Sequence, residues 1–367
     1  MKRKIIIISA SILPKNSPRA NRTTELAKEF GRQGHDVTVY AVLGNYDYSD
    51  FEKTYNVKVK SIGKMRFATI NSDGKAKNTI VSVLLSKLFH KLIDFPDIEL
   101  SFKVLNVLKK EFKADLLITI AVPYALHFGA AFSKIKLKEK FPENWIADCG
   151  DPFMGNKFIK PFFYFKHVEK WFCKHADYLT VPIEEAKVGY YKEFHDKIKV
   201  IPQGFNFDEV KINEKTNNNK VLTLVYAGAF YKGIRDPKQF LEYLSTLDIN
   251  FKFVVFTKNK AIVEPFKIAL GAKLEVKEYI PRNDLLNVMS KADFLVNFEN
   301  GTAVQSPSKL IDYALAKRPI LSIESLKLDE DNVDAFFEGN YKDQLIVENI
   351  EQFNIKNVVN NFISLIK

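Results

Sequence analysis

The sequence predicts an α/β protein made of two doubly wound units, each a parallel β-sheet covered by helices on both faces. Short apolar runs rich in β-branched residues, typical of strands buried on both faces, alternate with amphipathic helical stretches along most of the chain. The alternation is interrupted at 204–220 by a polar, Asn-rich, aperiodic stretch, which is typical of a linker. At 367 residues the chain is long enough for two domains.

The first unit is predicted to span 1–203. Helices are expected at about 20–32, 79–93 and 99–112, with another beginning near Pro123. Its strands are expected at 4–9, 36–41, 57–62, 115–120, 177–181 and 197–202, with a further strand that begins at 145 and leads into a polar turn. The loop after the first strand lacks G-x-G-x-x-G, which disfavours a dinucleotide-binding dehydrogenase.

The second unit is predicted to span 221–350 and to repeat this architecture without an internal sequence repeat. A final helix within 351–367 is expected to pack back on the first unit. The predicted strands of the second unit are 221–227, 251–256, 274–277, 294–298 and 320–323, and its helices lie near 237–246, 261–269, 282–291 and 307–317.

Cysteine content and hydropathy indicate a cytoplasmic location. The two cysteines, Cys149 and Cys173, provide neither a disulfide framework nor a metal-binding cluster, which fits a reducing compartment. The sequence contains no uncharged apolar stretch of about 18 residues, so no membrane-spanning helix is expected. The apolar run at 4–9 is short and continues into a helical pattern, so it is interpreted as a buried first strand and not as a signal peptide.

The positive charge is concentrated in the first half of the chain. The net charge is +11, and residues 1–200 hold 34 Lys and Arg against 22 Asp and Glu. This asymmetry indicates an anionic partner, either a nucleic acid or an anionic membrane surface, although a lysine-rich surface that serves solubility explains it equally well. The sequence has no recognisable nucleic-acid-binding module. Segments 79–93 and 157–174 combine apolar or aromatic residues with lysines, so they fit either a membrane surface or helices packed on a sheet.

Candidate anion-binding residues lie at two places in the second unit. Ser306 is a candidate N-cap of the helix near 307–317, whose free N–H groups and partial positive charge favour a phosphate, and Lys309 adds a cation. A capped amphipathic helix with a solvated lysine explains the same residues. Lys232 and Arg235 follow Gly228 on a loop at the carboxyl end of a strand, the edge where ligands bind to such sheets.

The first unit has its own candidates at strand ends. Ser17, Arg19 and Arg22 lie at the start of the first helix, where they either meet an anion or cap the helix. His127 lies about one turn into a helix that follows a strand, and it is either structural or functional. Two carboxylates, Asp148 and Asp151, follow the strand that begins at 145.

Motifs spread over nearly the whole chain resemble the GT-B glycosyltransferases, and glycosyltransferase family 4 in particular. The stretch at 18–40 resembles the first helix and second strand of that family, and WIADCGDP at 145–152 resembles its W-I-A-D-x-x-D-P turn. Further matches are HADYLTV with KVIPQGFN, the donor loop YAGAFYKGIRDP, and SPSKLIDYALAKRP at 306–319, which resembles the nucleotide-binding helix.

The resemblance implies two Rossmann-like domains facing across a cleft and the transfer of a sugar from a nucleotide-sugar, with retention of configuration and without a metal or other cofactor. Preorganised N–H groups and cations stabilise the charge on a leaving diphosphate. Implied catalytic residues are His127 and Asp151. Residues implied in donor binding are Gly228, Lys232, Arg235, Ser306, Ser308, Lys309 and Asp312, the last where the family has a ribose-binding glutamate. Residues implied on the acceptor or sugar side are Ser17, Arg19, Arg22 and Asp148.

We therefore expect a hexosyltransferase-like enzyme that builds a bacterial surface polysaccharide, capsule or lipopolysaccharide, on a glycan or lipid-linked acceptor. It would be peripheral on the inner face of the cell membrane and would not bind nucleic acid. The sequence departs from the family at the first glutamate of E-x7-E, where it has Val304, and at Gln203 and Arg318. These departures keep two alternatives open: a catalytically degenerate protein that acts as a scaffold for a partner subunit, and a sugar-nucleotide epimerase on the same fold.

Overall fold

The chain forms two units, which it connects by crossing between them twice. The computed structural model describes residues 1–66, 88–89, 92–111, 113–150, 152–156, 161–209, 219–299 and 308–366. The first unit comprises Met1–Phe205 together with Gln352–Lys367, and the second comprises Asn206–Glu351. The first crossing thus comes at the start of the stretch expected as the linker. Within the described ranges, none of the helices is both long and apolar enough to cross a membrane.

The first unit contains a parallel sheet in the order β3-β2-β1-β4-β5-β6-β7. The order reverses between β1 and β4, as in doubly wound sheets. Alternate isoleucines of β1 enter the two cores on opposite faces of this sheet, which is why the run is apolar at every position. The strands are β1 Lys4–Ser9, β2 Asp36–Ala41, β3 Val57–Ser61, β4 Leu116–Ile120, β5 Asn144–Asp148, β6 Tyr178–Val181 and β7 Ile198–Val200.

Helices cover both faces of the first sheet. Gly129 allows two of them to pack closely, since a Cβ there would lie 2.6 Å from the Ser101 carbonyl oxygen. The helix predicted at 79–93 lies mostly outside the described residues. The described helices are α1 Pro18–Arg32, α2 Ser49–Tyr55, α3 Glu99–Leu108, α4 Ala125–Leu137 and α5 Phe165–His175.

The second unit contains a parallel sheet in the order β10-β9-β8-β11-β12, which reverses between β8 and β11. Its strands are β8 Leu222–Ala227, β9 Phe251–Phe256, β10 Leu274–Lys277, β11 Phe294–Phe298 and β12 Ile320–Ile323. Its helices are α6 Lys238–Thr246, α7 Lys260–Val263, α8 Lys267–Leu270, α9 Arg282–Met289, α10 Ser308–Leu315 and α11 Glu330–Phe337.

One predicted helix is wrong in its extent. The helix expected at 261–269 is two short helices, α7 and α8, joined by a 3₁₀ turn at Glu264–Phe266. Pro265 lies in that turn, and proline lacks the N–H and the clearance that a continuous helix needs.

The last helix, α12 Ile355–Ser364, belongs to the first unit. Val358 and Phe362 enter the same core as Ile5 and Phe30, and the rings of Phe30 and Phe362 lie 6.4 Å apart. The fold class predicted from the sequence, two doubly wound α/β units, is confirmed.

Candidate functional site

The order of strands in the second sheet opens a site between β8 and β11. The two strands are paired only at Leu224 with Phe294 and Val225 with Leu295, whereas β8 pairs with β9 along its whole length. Beyond those pairs the hydroxyl of Tyr313 on α10 lies between the strands. It accepts from Ala227 N–H at 3.0 Å and donates to the Val296 carbonyl at 3.0 Å. Tyr313 therefore fixes α10 at the point where such sheets bind ligands.

Lys309 lies one turn before Tyr313 on α10. Its Nζ is 5.1 Å from the centroid of the buried Tyr226 ring and 3.5 Å from the Phe298 carbonyl oxygen. Burial, followed by the charge of Arg235, lowers the pKa of Lys309 from 10.5 to about 7. An amine held in this way gains a proton readily when an anion arrives, because the anion offsets both effects.

Arg235 lies on the loop that follows β8. The Tyr231 N–H donates to the Arg235 carbonyl at 3.1 Å, so the loop folds back on itself, with Gly233 at a φ of 73°. The guanidinium lies 5.3 Å from the centroid of the Tyr231 ring. This loop brings Arg235 close enough to affect Lys309, while Lys232 on the same loop is exposed to solvent.

Gly228 lies at the start of this loop, next to the buried Tyr226. A Cβ at position 228 would lie 2.8 Å from the Tyr226 hydroxyl, which donates to the Ala229 carbonyl at 3.0 Å. Only glycine fits here without displacing that tyrosine. Gly228 therefore supports the shape of the loop.

Asp312 on α10 pairs with Arg282 at the start of α9. Arg282 Nε donates to Asp312 Oδ1 at 2.8 Å, and Nη2 lies 2.5 Å from the same oxygen. Burial raises the pKa of Asp312, and the guanidinium offsets part of that rise. Ser308 is the first residue of α10, and Ser306 lies outside the described residues. The structure thus brings Lys309, Asp312 and Arg235 to one edge of the second sheet.

In the first unit, Arg22 and Asp148 form a buried ion pair. Arg22 Nε donates to Asp148 Oδ2 at 3.0 Å and Nη2 donates to Oδ1 at 2.8 Å, while Thr180 donates to Oδ1 at 2.6 Å. Arg22 also donates to the carbonyls of Pro202 and Ile201. Burial acts to raise the pKa of Asp148, but Arg22, together with Arg19 and Thr180, outweighs it and holds that pKa below its ordinary value. The hydrogen bonds among Arg22, Asp148 and Thr180 pair their buried polar atoms and connect α1 with β5 and β6.

Arg19 is the more accessible cation at the start of α1. Its side chain is 26% exposed, and Nη1 lies 4.0 Å from Asp148 Oδ2. Its guanidinium lies against Gly150, where a Cβ would clash with Nη2. Ser17 caps the helix, since its hydroxyl oxygen accepts from the Ala20 N–H at 3.2 Å. Both residues are partly exposed, and Ser17 already uses its hydroxyl oxygen to cap the helix.

His127 has no exposed surface and lies among aromatic rings in the core of the first unit. Its Nδ1 lies 2.7 Å from the Thr119 hydroxyl, which accepts from Trp145 Nε1 at 2.9 Å. The contact fits either tautomer, because the threonine hydroxyl can donate to Nδ1 or accept a second N–H there. Among the described residues Nε2 has no hydrogen-bond partner. Burial lowers the pKa of His127 to about 3, so the ring is neutral.

The predicted catalytic roles of His127 and Asp151 stay predictions. Asp151 lies outside the described residues, and His127 would have to be uncovered to touch a ligand. Sequence reasoning missed Tyr226, Arg282 and Tyr313. Tyr313 could have been found from the sequence, because it lies one turn after Lys309 on the same helix. No group of three or more His, Cys, Asp or Glu in the described ranges is arranged to hold a metal ion.

No family model and no curated protein matches the sequence. Solved structures match it over nearly the whole chain. HepE from Anabaena in complex with UDP is 10% identical, with a TM-score of 0.61 over 98% of each chain. The lipopolysaccharide outer core galactosyltransferase WaaB in its apo form is 14% identical, with a TM-score of 0.58 over 99% of this chain and 98% of that one.

A third match is UDP-GlcNAc 2-epimerase from Neisseria meningitidis bound to UDP-GlcNAc. It is 13% identical, with a TM-score of 0.56 over 98% of this chain and 99% of that one. At such identities the likeness establishes the fold, and function has to be argued from the site. The predicted GT-B architecture is confirmed at the level of the fold.

Proposed function

We propose that this chain is a glycosyltransferase that moves a sugar from a nucleotide-sugar to a glycan acceptor. The observation that carries the proposal is the edge of the second sheet, where Arg235 lies close enough to Lys309 to lower its pKa and Asp312 follows one turn later on α10. Two cations that repel each other there are suited to a diphosphate, which the fold's likeness to UDP-bound HepE supports. Asp312 then accepts from the ribose hydroxyls.

The proposed reaction depends on the charge that develops on the leaving group. The bond between the anomeric carbon and the diphosphate oxygen breaks, and its electron pair leaves with the nucleoside diphosphate. The acceptor hydroxyl oxygen forms the new bond to the anomeric carbon, and its proton passes to the departing diphosphate oxygen. Lys309 and Arg235, held in place before the reaction, stabilise the diphosphate in the transition state and so lower the barrier. We propose that configuration is retained and that neither a metal nor another cofactor takes part.

The first unit is proposed to take the acceptor, a lipid-linked glycan in bacterial surface polysaccharide synthesis. The excess of 34 Lys and Arg over 22 Asp and Glu in residues 1–200 supports an anionic acceptor or an anionic membrane surface. The likeness to the lipopolysaccharide galactosyltransferase WaaB fits this pathway. The location proposed is the cytoplasm, peripheral on the inner face of the membrane.

A second candidate is a sugar-nucleotide epimerase, which the likeness to UDP-GlcNAc 2-epimerase favours. The two activities differ in what they need. An epimerase converts the nucleotide-sugar by itself, whereas a transferase releases nucleoside diphosphate in proportion to the glycan that it extends.

The test is to incubate the protein with nucleotide-sugars, with and without a lipid-linked acceptor fraction, and to measure the products by chromatography. Acceptor-dependent release of nucleoside diphosphate, lost in Lys309→Ala, supports the transferase. An epimerised nucleotide-sugar without acceptor supports the epimerase. A folded protein that binds no nucleotide would instead be a scaffold for a partner subunit.

A further inference from the structure

The contact between Arg282 and Asp312 joins two helices at the candidate donor edge in an unusual way. Nε and Nη2 of Arg282 both contact the same carboxylate oxygen, Oδ1, at 2.8 Å and 2.5 Å. A carboxylate has lone pairs on both oxygens. Among the described residues, Oδ2 of Asp312 has no hydrogen-bond partner, and the side chain is 19% exposed. One oxygen is therefore anchored while the other is available to a ligand.

The position of Asp312 indicates which ligand group it would meet. Asp312 lies one turn after Lys309 on α10, and Tyr313 fixes this helix between β8 and β11. If the diphosphate lies at Lys309, the sugar bonded to it is the next part of the nucleotide. Its hydroxyls are hydrogen-bond donors that suit a carboxylate oxygen.

We propose that Arg282 is a positioning residue for nucleotide recognition: it orients Asp312 by holding Oδ1, so that Oδ2 accepts from ribose hydroxyls. This inference rests on the proposed function, because it assumes a nucleoside diphosphate at this edge. The inference adds Arg282, which acts through Asp312 and which the sequence motifs did not identify.

The physical reason is the cost of a partly buried carboxylate. Burial disfavours the charged form of Asp312 and raises its pKa, and Arg282 counteracts this. Tyr313, the neighbouring titratable group, has a pKa raised by its own burial and stays neutral. Without the guanidinium the carboxyl would hold its proton to a higher pH and would rotate freely. A protonated carboxyl is a weaker acceptor for ribose hydroxyls than a carboxylate.

A purely structural role is the competing explanation, and the chain offers a matched control for it. Arg318 also joins α9 to the region after α10, since its Nε donates to the Ser290 carbonyl at 2.6 Å, at the far end of α9. Arg318→Gln therefore weakens the packing of the same helices without touching Asp312. Any effect that Arg282→Gln shares with Arg318→Gln is due to packing.

The experiment measures binding by calorimetric titration at pH 6 and pH 8. UDP, GDP, ADP and CDP identify the base, and the 2′-deoxy form of the diphosphate that binds is then compared. The proteins are the wild type, Arg282→Gln, Arg282→Lys, Asp312→Asn and Arg318→Gln. Each variant is compared with the wild type at the same pH, which cancels the titration of Lys309.

We expect the wild type to prefer the ribonucleotide by about tenfold or more, the range of a hydrogen bond to a charged group. Arg282→Gln should lose more of this preference at pH 6 than at pH 8, because protonation of Asp312 adds to its loss of orientation. Arg282→Lys should keep the preference at both pH values. Asp312→Asn should weaken the preference equally at both pH values. Arg318→Gln should leave it unchanged.

The outcomes separate the inference from the proposed function. If the wild type binds none of the diphosphates, the proposed function fails and the inference fails with it. If the wild type binds a diphosphate but Arg282→Gln has an unchanged preference at both pH values, only the inference fails. A loss that Arg318→Gln reproduces, or that Arg282→Lys fails to restore, would assign Arg282 a packing role and also overturn the inference.

Discussion

Replacing Lys309 with methionine tests whether this lysine is the diphosphate-binding cation. Methionine keeps the length and packs against Tyr226 but carries no charge. A hydrogen bond to a charged group contributes about 1.5–3 kcal/mol, so Lys309→Met should bind the nucleoside diphosphate roughly 10- to 150-fold more weakly at pH 7. Calorimetric titration measures the change.

The pH dependence makes this test sharper. The pKa of Lys309 is lowered to about 7, so above pH 7 the amine must first gain a proton to pair with the diphosphate. Each pH unit above that value costs about 1.4 kcal/mol. The wild-type affinity should therefore fall by up to about 100-fold between pH 7 and pH 9, while that of Lys309→Met should stay flat.

The same substitution should stabilise the protein without ligand. In the unfolded chain the amine has its ordinary pKa of 10.5, so between pH 7 and 10.5 the unfolded state binds more protons than the folded state. The wild-type free energy of unfolding should therefore rise with pH across this window, and Lys309→Met should lack that rise. Denaturant unfolding at pH 7 and pH 9 measures it.

A matched control is Lys238→Met on α6. Lys238 is 67% exposed and forms a surface ion pair with Glu242, so neither binding nor its pH dependence should change. The reasoning would be refuted if Lys309→Met bound the diphosphate with wild-type affinity, or if its affinity fell with pH as steeply as that of the wild type.

Three further predictions concern stability. Asp148→Asn leaves the buried Arg22 without its charged partner, so we expect a loss of about 3–5 kcal/mol in denaturant unfolding, and a loss below 1 kcal/mol would contradict the ion pair. Tyr313→Phe leaves the Ala227 N–H and the Val296 carbonyl unpaired, which should cost about 1–3 kcal/mol for each group. The thermal midpoint should fall. An unchanged midpoint would mean that the hydroxyl does not bridge the strands. Glu169 accepts from the Phe153 and Met154 N–H groups, and burial raises its pKa from 4.5 to about 7, so the unfolded chain releases the proton first and stability should fall as pH rises from 4.5 to 7. Glu169→Gln should abolish that fall of up to about 3 kcal/mol, and a variant with the wild-type pH profile would rule Glu169 out as its source.

The strands could be predicted from sequence because parallel sheets covered on both faces need apolar residues at every position. The run at 4–9 fills two cores at once, and the strands at 251–256 and 320–323 are found where they were predicted. Pro265 divides one predicted helix. A proline inside a helical pattern predicts such a break, but the apolar residues around it favoured one continuous helix.

Lys309 and Arg235 could also be named from the sequence, because they follow from position at strand and helix ends, whereas Arg282 could not. Their partners could not, since long-range pairing leaves no local pattern. Arg22 and Asp148 are 126 positions apart, and Arg282 and Asp312 are 30 apart. Arg22 was expected to face a ligand, but in the structure its guanidinium forms hydrogen bonds with Asp148 and with backbone carbonyls. His127 has an apolar environment that is assembled from α4 and α5.

The central claim is that the edge formed by Lys309, Arg235 and Asp312 binds a nucleoside diphosphate. The most direct measurement is the thermal stability of the wild type and of Lys309→Met against a panel of nucleoside diphosphates and their sugars. A ligand at about 100 times its dissociation constant should stabilise the protein by about 2.7 kcal/mol. We expect nucleotides of one base to raise the wild-type midpoint, and to raise that of Lys309→Met clearly less because this variant binds them more weakly. A folded wild type that responds to none of them, or a variant that responds equally, would contradict the claim.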